Sequence, residues 1–252
     1  MKAKMLLAVS ALAILSCQKK QTTSVQAEQN LSVSIAESTR PVTKNYYDST
    51  GIYHNMMLDS ALVYALNNRT RNGMQAYSIM MKVYQKYHPV DEALIQKAAP
   101  ALLKSVSEMR SNPLENRDPK TPEYPFFAQL FQLISQAGRL GYDRFKADLE
   151  LLKQQAAASE TLTASAKERV LGTLSVAGSS AYRWLNLQTI NMHLEFYIPF
   201  SPAQFTGGGI KAISADTRAY LEAREKGHSE HTARVLSAIA SFKEFLDNLW
   251  PF

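Results

Sequence analysis

Three polar residues that could do chemistry share one short helical stretch: His54, Asn55 and Asp59. An imidazole beside a carboxamide and a carboxylate is material for general acid–base work. Asn55 falls within a stripe of Gly51, Asn55, Leu58, Leu62 and Ala65, spaced by three and four, so it is expected to be buried and to need partners. His54 stands one position off that stripe, where it could reach a groove. The trio is therefore either a polar site in a bundle interior or a satisfied set that pins helix register.

Other constellations carry less. His228-Ser229-Glu230-His231 sets two imidazoles three apart, on one helical face, without the H-E-x-x-H order of zinc proteases. Gly227 before it suggests a solvated turn. Gly207-Gly208-Gly209-Ile210-Lys211 could offer backbone amides to an anion, but it lacks phosphate-loop spacing and reads as a flexible connector. The G-x-S-x-G signature is absent. Asp91-Glu92 and the Asp148/Glu150 pair look like a cap and a solvated face. Asp48-Ser49-Thr50 fits a helix cap and also resembles a D-S/T triplet used for O-glycosylation in some Gram-negative envelopes. No spacing calls for a metal or a cofactor, and none is expected. Tyrosines gather at Tyr46, Tyr47 and Tyr53 and again at Tyr77, Tyr84 and Tyr87. An apolar ring with a polar tip suits both core packing and an interface, which makes Tyr47 and Tyr53 the binding candidates.

The elements that would position these residues begin after an export signal. Lys2 and Lys4 precede an apolar run from Met5 to Leu15, too short to span a bilayer. Ile14-Leu15-Ser16-Cys17 resembles a lipobox, with Leu15 an unusual −2 residue. Residues 1–16 are read as the signal and Cys17 as the lipid-bearing N-terminus of the mature chain. Cys17 is the only cysteine, so acylation would leave no thiol for nucleophilic or metal chemistry. Gln18 is not the aspartate of inner-membrane retention, which points to the outer membrane. Residues 17–45, rich in Gln, Ser, Thr and Lys, read as a flexible tether. The formal net charge of +6 is well mixed along the chain, with no basic stripe for nucleic acid.

From residue 46 to 252 the periodicity is helical, and strand patterns are scarce. Helices are expected over 48 to about 67, 72–87 and 91–110, the last with a kink at Pro100. The prolines of 111–122 mark a long loop or subdomain boundary, and Thr121-Pro122 looks like a cap and first-turn proline. Further helices follow, from that proline to about Gly138 or Gly141, then 142–158, a long one over 163–196, 210–226 and 229–249. Gly178-Ser179-Ser180-Ala181 forms a small-residue patch where another helix should pack closely. The fold class is all-α: an irregular bundle of about seven or eight helices.

The run Tyr47-Asp48-Ser49-Thr50-Gly51-Ile52-Tyr53-His54-Asn55-Met56-Met57-Leu58-Asp59 resembles the opening of a family of helical bacterial envelope proteins with a Y-D-x-x-G-x-x-H-N-x-x-L-D pattern. Ser179-Ser180-Ala181-Tyr182-Arg183-Trp184 is similar to a later serine-rich stretch of that family, although Arg183 here separates its Tyr-Trp pair. The resemblance covers about twenty residues and implies a helical envelope lipoprotein without an assigned activity. The expected function is a membrane-anchored, non-catalytic module that binds an envelope protein, peptide or glycan. The alternative is an envelope or nutrient hydrolase using His54 and Asn55, with Asp59 nearby.

Overall fold

A computed structural model describes residues 48–68, 73–108, 113–115, 117–186 and 202–248; Cys17 and Tyr47 lie outside them. The fold is all-α: the described residues form seven packed helices and no strand. In chain order these are α1 (Asp48–Asn68), α2 (Gly73–Gln85), α3 (Glu92–Glu108), α4 (Tyr124–Ala158), α5 (Ala164–Leu185), α6 (Pro202–Glu225) and α7 (Glu230–Asn248).

Three of the helix starts follow local capping chemistry. Asp91 opens α3 by accepting the Leu94 amide at 3.0 Å, Thr163 caps α5 through the Ala166 amide at 3.2 Å, and Ser229 caps α7 through the Thr232 amide at 3.2 Å. Each satisfies an amide that a helix start leaves without a partner. At α4 the start comes later than Thr121-Pro122 suggests. The Thr121 hydroxyl donates to the Asp118 carbonyl instead, and Pro125 occupies the first turn. Helix α4 is broken at Gly141, whose φ of 73° and ψ of 167° are non-helical, so the expected division near that glycine is present.

Helices α1, α5, α6 and α7 form a closed ring, each packed on the next, with α4 against α5 and α6 and with α2 and α3 against the other side. Helix α1 is deeply set: every residue from 54 to 62 is buried, apolar and polar alike. The expected single stripe was too narrow, because a helix surrounded by others buries its whole circumference. Close approach makes this possible. A Cβ on Gly51 would stand 1.7 Å from Ser179 Oγ, so α1 and α5 touch there nearly backbone to backbone. Gly178 has a milder role, since its Cβ would meet only the tip of Leu149 at 2.8 Å.

Two expectations are corrected. The long helix ends at Leu185 with Asn186 as its C-cap, short of 196. The three glycines at 207–209 are not a connector: they lie inside α6, which begins at Pro202. A Cβ on Gly209 would meet the Trp184 carbonyl oxygen at 3.2 Å, so its missing side chain lets α6 seat against the end of α5. An amide nest for an anion is thereby lost, because the amides beyond the first turn are spent within the helix.

Candidate functional site

The ring helices each send one polar residue to a common point. From α1 comes His54, from α5 Ser180, from α6 Asp216 and from α7 Ser237, all fully buried. His54 Nε2 lies 2.7 Å from Asp216 Oδ1. The Ser180 hydroxyl makes a short hydrogen bond to Asp216 Oδ2. Ser237 donates to the Asp216 backbone carbonyl at 3.0 Å, with its carboxylate a further 3.4 Å contact. His54 therefore does not reach a groove; it is a core residue.

Hydrogen-bond partners favour a charged His54. Asn55 Nδ2 donates to the Ser179 carbonyl at 3.0 Å, which turns its Oδ1 toward His54 Nδ1, 3.2 Å away. That ring nitrogen donates, because a carboxamide oxygen only accepts. Nε2 faces a carboxylate oxygen of Asp216, an acceptor, and a ring that donates at both nitrogens is an imidazolium. Burial works against that charge, but the Asp216 carboxylate, its hydrogen bond, the Asn55 oxygen and the nearby Asp59 together raise the His54 pKa above its usual value.

Asp59, one turn further along α1, forms a second buried ion pair with Arg183 of α5 at 2.6 Å. These two pairs set two cations against two anions, so their charges balance one another. Arg183 is 1 % exposed and its Nε and Nη1 have no hydrogen-bond partner among the described residues. Pairs of this kind lose much hydration, and they specify position more than they add net stability.

This network is poorly arranged for hydrolysis. In a Ser-His-Asp relay the histidine stands between the serine and the acid. Here the acid stands between the serine and the histidine, and the imidazolium has no free nitrogen with which to take a proton. Among the described residues no group of three or more His, Cys, Asp or Glu side chains could hold a metal.

A second cluster forms where the start of α1 meets the end of α2 and the start of α7. Thr50 and Arg234 both hydrogen-bond Glu230 through short contacts, and Arg234 Nη2 donates to Thr50 Oγ1 at 2.8 Å. Thr50 hydroxyl bonding and Arg234 hold the Glu230 pKa below the usual carboxylate range despite its burial. Around this core stand rings. Tyr53 meets His88 edge-on at 4.4 Å between centroids, His88 stacks on His231 at 4.4 Å, and Tyr53 also contacts Tyr84 and Tyr87 at 6.1 and 6.0 Å. The Arg234 guanidinium lies 5.6 Å from the Tyr53 ring centre. Tyr87, 56 % exposed, presents this cluster to solvent. The His228–His231 stretch is thus more than a solvated turn, since Glu230 and His231 both point into the joint.

Of the residues singled out in the sequence, His54, Asn55 and Asp59 belong to one interior network, and Tyr53 belongs to the ring cluster. The partners Asp216, Ser180, Ser237, Arg183, His88 and Arg234 were not anticipated. Asp216 carried a readable signal, because it shares a helical face with the buried alanines at 212, 219 and 223. A scan against models of known protein families, a search of curated proteins and a search of solved structures each find no match to this chain.

Proposed function

We propose that this chain is a lipid-anchored, non-catalytic binding module of a bacterial cell envelope, tethered through Cys17 to the outer membrane, that takes an envelope protein, peptide or glycan on the face carrying Tyr53, Tyr87 and His88. The observation that carries the binding half is the ring cluster, in which an exposed Tyr87 stands on rings fixed by three helices. Preset aromatic rings lose little conformational freedom on binding, and they dominate contact energies. Arg234 is neutralised by Glu230, so the guanidinium under these rings offers no unpaired charge to a polyanion, which favours an uncharged or mixed partner. The anchoring half rests on the lipobox-like Ile14-Leu15-Ser16-Cys17. Among the described residues no helix is long and apolar enough to cross a membrane.

The hydrolase reading, by contrast, would require substrate to reach a His54 ring with no exposed surface. Two measurements test the proposal. Cys17→Ser should move the protein from the membrane fraction to the soluble one. That released chain should then bind members of an array of envelope glycans and peptides, without turning them over. Membrane retention of Cys17→Ser would refute the anchor, and turnover of an arrayed compound would refute the non-catalytic role.

A further inference from the structure

The ring cluster also contains two titratable rings placed face to face. His88 follows the last turn of α2, and His231 stands at the start of α7; their rings are 4.4 Å apart and only 26° from parallel. This stack is a contact between the α2–α3 turn and α7. Neutral imidazoles stack favourably, whereas two imidazoliums at that distance repel, and Arg234 adds a third positive charge beside them. The groups facing the pair are few. Helix α1 contributes Tyr53, the end of α2 contributes Tyr84 and Tyr87, and α7 contributes Glu230 and Arg234. Asp91, at the start of α3, caps its own helix at the Leu94 amide. Among the described residues Glu230 is the one carboxylate acting on both rings, and it is already shared between Thr50 and Arg234.

The surroundings suit neutral rings. Tyr84 Oη lies 3.0 Å from His231 Nδ1, where its hydroxyl can donate to an unprotonated ring nitrogen. A charged His88 would carry an N–H at Nε2, a buried atom with no hydrogen-bond partner among the described residues. Water could serve it only if the turn moved.

We propose that this junction is an acid-sensitive joint: when His88 and His231 take up protons, the α2–α3 turn lifts away from α7 and carries Tyr87 with it. The joint goes beyond the binding role and stands whether or not that face has a partner. Burial, followed by mutual repulsion and Arg234, lowers the His88 pKa, and burial with Arg234 lowers that of His231. The sign follows. Groups whose closed-state value is depressed hold the joint shut above the ordinary imidazole range, and that contribution is lost as pH falls through it. The device would redraw the exposed aromatic face in an acidified compartment.

Backbone hydrogen exchange of the full chain reads the joint directly. The Tyr87 and His88 amides both donate to the Tyr84 carbonyl at 3.0 Å. After correction for intrinsic rates, their protection should fall about tenfold between about pH 7.5 and about pH 5, while amides of α4 keep theirs. His231→Asn retains an acceptor near Nδ1 without a titrating ring, and His88→Phe retains a ring without a charge; in both the fall should be largely abolished. Unchanged wild-type protection, a uniform loss that includes α4, or the same loss in both variants would overturn the proposal. Should a variant lose its helical circular dichroism, the wild-type contrast between the turn and α4 decides alone.

Discussion

Removing both partners of the His54–Asp216 pair together should cost much less than the sum of the two single removals. Asp216→Ala strands the imidazolium and takes the acceptor from the Ser180 hydroxyl. His54→Leu strands a carboxylate with no exposed surface, supported only by serine hydroxyls. A buried ion pair reduced to one charge typically loses about 3–5 kcal/mol. For a chain of this size that corresponds to a melting point lower by about 6–20 °C. The double variant strands no charge. What remains is neutral, chiefly the Ser180 hydroxyl and the Asn55 oxygen, at about 1–3 kcal/mol each. The two changes should therefore be strongly non-additive, with a coupling of at least about 2 kcal/mol. Asp216→Asn, which can still accept from His54 or Ser180, should fall between wild type and Asp216→Ala. Urea unfolding followed by circular dichroism near neutral pH measures all four proteins. Additive losses, or single variants within about 1 kcal/mol of wild type, would refute the buried imidazolium–carboxylate pair.

Two further predictions follow from the packing and the charges. Gly51→Ala should overpack the α1–α5 contact at Ser179 and cost about 1–3 kcal/mol, whereas Gly207→Ala, with open space at the Cβ position and a helical backbone, should gain up to about 1 kcal/mol; thermal melts of the pair check both signs. The raised His54 pKa contributes stability that is complete below its ordinary value near 6.5 and is lost as pH rises through the folded-state value. Urea midpoints should accordingly show a loss on the alkaline side in wild type that is absent in His54→Leu.

The helical architecture was legible because periodicity and capping residues act locally. Asp91, Thr163 and Ser229 each cap a helix at or beside the position their types suggest. The glycines at 207–209 misled because glycine is read as a breaker when only local propensity is weighed. In α6, Gly209 instead answers a neighbour, the Trp184 carbonyl, that lies far away in sequence. The same limit applies to the interior network. Asn55 could be assigned to the core from its stripe, but His54 lay off the stripe, and only the closure of the ring of α1, α5, α6 and α7 buries it. Its partner Asp216 is 162 residues away, and no local pattern links the two. Likewise Glu230 reads as a first-turn acid of α7, and its contact with Thr50 across 180 residues is a product of the fold.

Whether partners meet the ring cluster or the interior network is decided by one comparison on an array of envelope glycans and peptides, using the Cys17→Ser chain as parent. Tyr87→Ala removes an exposed ring and should leave the helical circular dichroism intact while weakening binding about tenfold or more. Ser180→Ala removes only a buried hydroxyl donor to Asp216 and should bind as the parent does in the molecules that remain folded. Binding unchanged in Tyr87→Ala but lost in folded Ser180→Ala would contradict the account and move the site to His54 and Asp216.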